Sequence, residues 1–241
     1  MVGRDLERLN VDCQWGMHGL RAVANGNVVV IVDVLSFSTA ATVAVGRGAA
    51  ILPCEWSDER AAALAAAERA EVASKRGSGR FSLAPASLKR VPAGLRLVLP
   101  SPNGSTLAYA ARELNAASIV VGCFRNAAAV ARWASSQKHD IAVIAAGERW
   151  QDGTIRFAIE DWLGAGAIIS RLTGNRSAEA EAAAAGFERL RHSLHSILAS
   201  CPSGRELIEA GYPDDIDIAS ELDAERTVPL LDRNAFTLAP L

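Results

Sequence analysis

Val28-Val-Val-Ile-Val-Asp33-Val-Leu-Ser-Phe-Ser-Thr39 begins with five β-branched residues in succession and then meets a single carboxylate. An unbroken apolar run of this kind reads as a strand buried on both faces, as in parallel sheets. The hydroxyls that follow, Ser36, Ser38 and Thr39, read as the start of a helix. Asp33 then falls at the carboxyl end of the strand, where open α/β sheets bind ligands. A capping or turn aspartate is the alternative on this stretch alone.

Downstream the same strand-to-helix unit recurs. Residues 95–99, 118–122 and 141–145 read as strands. They are followed by the turns Ser101-Pro-Asn103-Gly104-Ser105-Thr106, Cys123-Phe-Arg125-Asn126 and Ala146-Gly147-Glu148-Arg149, and by helices, the last opened by Glu160-Asp161. Alternation of this type predicts an α/β fold: a three-layer α/β/α architecture with a mostly parallel sheet, as one domain over residues 1–241 or as two lobes. Residues 1–27 show little pattern. Residues 50–54 read as a strand that Pro53 places at an edge. Ser57-Asp58-Glu59 open an alanine-rich helix running to about residue 74. Residues 75–80, Lys-Arg-Gly-Ser-Gly-Arg, form a basic loop, either a solvated connection or a cover over an anionic ligand. One long helix is predicted over 177–199 and a short one after Pro202. Asp214, Asp215, Asp217 and Asp223 lack the glycine and spacing of a calcium loop and read as caps and solvated surface.

Composition narrows the function. The chain has 241 residues, half of them hydrophobic, and a formal charge of −2. With no long basic run, nucleic acid is excluded as a natural partner. No apolar run reaches membrane-spanning length and the first residues lack the apolar core of a secretory signal, so a cytoplasmic location is expected. Cys13, Cys54, Cys123 and Cys201 have neither zinc nor disulfide spacing. Cys123 fails as a phosphatase nucleophile, because the arginine such a loop needs six positions on is Ala129. His18, His139, His192 and His195 are not spaced for a metal or a triad.

If parallel strands share one carboxyl edge, the turns above face one crevice. Helix starts bearing Ser36, Ser38, Thr39, Asn103, Gly104, Ser105, Thr106 and Asn126, with Gly147 and the cations Arg125 and Arg149, offer donors to an anion. Asp33, Glu160 and Asp161 are hard oxygen ligands suited to Mg2+, which is typically held by one or two carboxylates, water and substrate oxygens. Capping is the alternative for Glu160 and Asp161. A cation beside an anion cradle is the makeup of a phosphoester-hydrolysing site. No Walker loop is present, and Asp33-Val-Leu lacks the second acid of a D-x-D phosphatase.

In these residues the chain resembles the 2-phosphosulfolactate phosphatase (ComB-like) family. The resemblance rests on Val-Ile-Val-Asp33-Val-Leu-Ser-Phe-Ser-Thr39, Asn103-Gly-Ser, Arg125-Asn126-Ala, Ala146-Gly147, Ile159-Glu-Asp161 with Ala165-Gly-Ala, Ser203-Gly-Arg-Glu-Leu, Glu-Leu-Asp223 and Val228-Pro229, in family order from about residue 28 to 230. It implies a magnesium-dependent acid phosphatase that acts on 2-phospho-3-sulfolactate on the route to coenzyme M. Asp33, Glu160 and Asp161 fall on acidic positions assigned here to the metal, Asn103-Gly104-Ser105 on an Asn-Gly-Thr turn and Arg125-Asn126 on an Asn turn. Ser36-Phe37 departs from the family's Arg-Ala, Ser101-Pro102 from Thr-Thr and Ala145 from a frequent cysteine. An arginine fork binds phosphate or sulfonate well. With Ser36 in its place, Arg125, Arg149 and the basic loop are the candidates to supply its charge.

The reading is a magnesium-dependent phosphatase acting on a small phosphorylated organic acid, with activated water as nucleophile, or Asp33 itself in a covalent version. A homodimer is compatible with it. The alternatives are a non-catalytic binder of a phosphorylated metabolite and a metal-dependent hydrolase of a carboxylate- or sulfonate-bearing substrate without phosphate.

Overall fold

The computed structural model describes residues 9–55 and 58–240, and the expectations for residues 1–8 and for Ser57 lie outside them. In chain order the strands are β1 (Asn10–Trp15), β2 (Val28–Val32), β3 (Ala50–Cys54), β4 (Glu71–Val72), β5 (Arg96–Pro100), β6 (Ser118–Gly122), β7 (Ile141–Ala145), β8 (Glu148–Arg149), β9 (Ile155–Arg156), β10 (Asn175–Arg176), β11 (Pro229–Asp232) and β12 (Ala235–Leu238). The helices are α1 (Gly16–Val23), α2 (Phe37–Gly46), α3 (Asp58–Glu68), α4 (Pro85–Leu88), α5 (Gly104–Ala111), α6 (Ala127–Ser136), α7 (Ile159–Ile169), α8 (Ala178–Leu190), α9 (Leu194–Ser200), α10 (Pro202–Glu209) and α11 (Pro213–Ser220).

One mixed sheet runs β10-β1-β7-β2-β6-β11-β12-β3-β5-β4, and β8-β9 forms a separate hairpin. The first five strands are mutually parallel, as are β3, β5 and β4. Between these blocks lies the hairpin β11-β12, antiparallel to both neighbours. Traced across that hairpin, the second block runs opposite to the first. In a flat sheet β2 and β5 would lie about 24 Å apart, five steps of ~4.8 Å, with carboxyl ends on opposite edges. Yet the N–H of Gly104, past β5, donates to Asp33, past β2, at 2.7 Å. The sheet is therefore curled. The hairpin's outer ladders pair single residues, Leu230 with Val120 and Phe236 with Ile51, which leaves room for the bend. The single shared carboxyl edge expected above is replaced by two edges facing each other.

Packing follows from strand alternation. Val28, Val30 and Val32 point into a cluster with Val130, Leu163 and Phe187 from α6, α7 and α8. Val29 and Ile31 point the other way, into a cluster with Phe37 and Leu107 that also takes Ile51, Leu97 and Leu99 of the second block. Helices α2 and α5 touch strands of both blocks. On the far side of the second block, Leu52 and Val98 are covered by Ala61 and Ala65 of α3. Each block is thus sandwiched between helices, the three-layer α/β/α arrangement.

Local departures have local reasons. The unpatterned start contains β1 and α1. Helix α3 stops at Glu68, and the chain enters the short β4 instead of continuing to residue 74. The long helix over 177–199 is broken by a 3₁₀ turn at Arg191–Ser193. Strand β3 lies inside the sheet, not at its edge; β12 pairs with it only at Ile51, so Pro53 is outside that ladder. Among the described residues no helix is long and apolar enough to cross a membrane.

Candidate active site

The turn after β2 is built from its own side chains. The Asp33 N–H donates to Ser38 Oγ at 3.0 Å, Ser38 Oγ donates to the Ile31 carbonyl at 3.0 Å, and Thr39 Oγ1 donates to the Val34 carbonyl at 2.8 Å. With its backbone so fixed, Asp33 is held from both sides. Oδ1 accepts the Phe37 N–H at 3.2 Å and Oδ2 the Gly104 N–H at 2.7 Å. Only glycine fits at 104, since a Cβ there would lie 2.7 Å from both Asp33 Cβ and Oδ2 and 2.9 Å from the Phe37 ring.

Helix α7 brings the other two predicted acids to this point. Asp161 ties two strand ends together, Oδ1 accepting from Val34 N–H at 2.7 Å and Oδ2 from Gly147 N–H at 2.9 Å. Glu160 is 2% exposed, and its Oε2 has no hydrogen-bond partner. A fourth carboxylate, Glu148, joins them, accepting from Asn103 Nδ2 at 2.9 Å. Burial, with the charge of Glu160 added, raises the Asp33 pKa against its N–H donors. Burial first, then Asp33 and Glu160, holds Asp161 well above the usual carboxylate range. Burial and the Asp33 charge push Glu148 to about 7. The Cys201 thiol, raised to about 12 by burial and the neighbouring Glu160, stays protonated.

The remaining predicted residues divide. Asn103 and Glu148 line a cavity of about 490 Å³ with Trp15, His18 and Arg149. Ser36 is 7% exposed and receives a hydrogen bond from Arg76. Ser105 Oγ instead bridges the backbone N–H and C=O of Cys54, and Thr106 Oγ1 donates to the Ser101 carbonyl. Arg125 pairs with Glu221 and Glu225 and donates to the Ile218 carbonyl. The Asn126 amide bonds Cys123, Thr42, Val121 and Thr227. These four side chains thus have partners within the fold, those of Arg125 and Asn126 fastening the tail to the sheet. Asp215, expected as solvated surface, is buried against Arg76.

The acids fit a hard divalent cation: four carboxylates crowd together, and one buried oxygen lacks a partner. Among the described residues no trio of side chains is arranged to enclose an ion alone. Magnesium does not need one, since water and substrate oxygens complete its shell.

Fold and crevice together define an α/β protein with a cluster of buried acids where strand ends meet. The chain belongs to the 2-phosphosulpholactate phosphatase family, whose model matches residues 18–234. It is 29% identical over 217 residues to a probable 2-phosphosulfolactate phosphatase of Thermotoga maritima, covering 87% of this chain and 91% of that one. To the 2-phosphosulfolactate phosphatase of Methanothermobacter thermautotrophicus it is 27% identical over 205 residues, 83% and 85% of the two chains. A probable 2-phosphosulfolactate phosphatase of Gloeobacter violaceus is 31% identical over 137 residues, 57% and 56%.

Proposed function

We propose that this chain is a magnesium-dependent phosphatase acting on a small anionic phosphoester of the 2-phosphosulfolactate class. The observation that carries the reading is the buried, unpartnered Glu160 Oε2 among Asp33, Asp161 and Glu148. Such a group is costly without a cation. Family membership and the names of its relatives support the reaction.

Glu160 and Asp33 would hold the ion, with Asp161 bracing the Val34 and Gly147 backbones around it. A bound magnesium ion would offset the charge on the phosphoryl oxygens and make phosphorus more electrophilic. Asp33, fixed through both oxygens by N–H donors, suits a ligand better than a nucleophile, which favours attack by water. Glu148 lines the 490 Å³ cavity and ionises near pH 7, so it is placed to pass a proton to or from the ester.

Phosphate release from 2-phosphosulfolactate and 2-phospholactate tests the reading. Turnover should vanish on chelation and return with magnesium. Tight binding of either ester with no phosphate released in magnesium or manganese would overturn it in favour of a non-catalytic binder.

A further inference from the structure

Arg76 comes from the basic loop, forty residues past Ser36, and reaches the turn that carries Asp33. Its Nη2 donates to Ser36 Oγ, and its Nε donates to Asp215 Oδ2 at 3.2 Å. The Asp215 side chain is 2% exposed and that of Arg76 22%, so the acid is an internal prop and the guanidinium its outward end. Tyr212 lies 5.8 Å beneath the cation. Nη1 has no partner among the described residues. An arginine buttressed from behind, with one nitrogen left over, is built to meet an anion.

A second cavity, of about 510 Å³, is lined by Arg76 together with Lys75, Val72, Leu83 and Pro100. Its charged lining is Lys75 and Arg76 against Asp58, with Asp215 offsetting Arg76 from behind. The cavity beside Glu148 is the more acidic of the two, with Glu148 and Asp152 against Arg149. An anionic end of a substrate would be repelled from the second of these and drawn to the first.

Resting on the phosphatase reading above, we propose that Arg76 recognises a second acidic group of the substrate, a carboxylate or sulfonate, and that the 510 Å³ cavity takes that end of the molecule. The phosphate would then lie at the acids and the second anion at the guanidinium, with Ser36 between them. A side chain longer than serine at position 36 would occupy the space that the guanidinium uses.

The test compares 2-phospholactate, which carries a second anion, with p-nitrophenyl phosphate, which does not. Because Asp215 is buried behind Arg76, Arg76→Lys keeps its charge paired, and the double variant Arg76→Ala/Asp215→Ala removes both charges. In each, kcat/KM for 2-phospholactate relative to p-nitrophenyl phosphate should fall about tenfold to a hundredfold, the range for a charge-assisted bond, chiefly through KM. An unchanged ratio in both variants overturns the proposal. Sulfoacetate, measured by calorimetry, supplies a readout without turnover: its affinity should fall at least about tenfold in the variants. If no ester is hydrolysed but sulfoacetate binding depends on Arg76, the activity is refuted and the anion site stands. Equal sulfoacetate affinity in wild type and variants refutes the anion site whatever the turnover.

Discussion

Replacing Glu148 by glutamine removes one of four crowded carboxyl groups and keeps an oxygen to accept the Asn103 amide proton. Burial and the Asp33 charge raise the Glu148 pKa from 4.5 to about 7. The folded protein therefore holds this proton more tightly than the unfolded chain does. The stability it contributes is complete below pH 4.5 and is lost as pH rises through about 7. At about 1.36 kcal/mol per pH unit, the loss above neutrality comes to roughly 3 kcal/mol. Glutamine does not ionise. The variant should match the wild type in acid and exceed it by up to about 3 kcal/mol in mild alkali, a Tm higher by about 6–12 °C for a chain of this size. Circular-dichroism melts in chelator across this pH range read the difference directly. A gap that is flat with pH, or a variant that melts lower in alkali, refutes the placement of Glu148 among the acids. Magnesium should narrow the gap, because an ion in the crevice stabilises the ionised wild type more than the variant.

Gly104→Ala forces a methyl group against Asp33 and Phe37, and a displacement of this kind should lower kcat by about a hundredfold while the circular-dichroism spectrum is kept; wild-type turnover would show that Asp33 need not stay where Gly104 holds it. Asp161→Asn turns an amide donor toward the Val34 or Gly147 N–H, and should cost about 1–3 kcal/mol in urea unfolding; an unshifted midpoint would argue against the bracing role. Asn126→Ala strips bonds that join β6 to the segment before β11, and should lower the urea midpoint by an amount equivalent to about 2–3 kcal/mol, with a smaller effect on KM. A large KM change at unaltered stability would return Asn126 to the substrate.

The first block of the sheet was legible in the sequence because β2, β6 and β7 are apolar on both faces, the signature of burial between helix layers. Strand β1 was not, since its inward residues Val11 and Cys13 alternate with polar ones and no turn motif precedes them. The hairpin β11-β12 escaped for a similar reason: Arg233-Asn234 joins its strands, with Arg233 at φ 54°, where Asn-Gly would have announced the turn. The positions of Asp33, Glu160 and Asp161 at a strand end and a helix start were legible, but capping accounts for such acids equally well, and their burial beside one another is seen only in the structure. Asn126 and Ser105 share that local pattern, and only the curled sheet decides that their side chains face inward. Arg76 was visible as charge in a flexible loop, but its partner Asp215 lies 139 residues away, beyond any local pattern. Glu148 looked like one more polar residue in a turn until Asn103 and Asp33 were seen beside it.

The hairpin at residues 229–238 has a consequence for the order of events in synthesis. Every acid of the crevice, and both parallel blocks, leave the ribosome before it does. Until those ten residues emerge, the ladder between β6 and β3 stays open, and the two half-sheets are held only through the helices α2 and α5 and the apolar cluster they share. The last strands to be made are therefore the ones that close the sheet, a short ribbon completing the ladder between halves that common helices already hold.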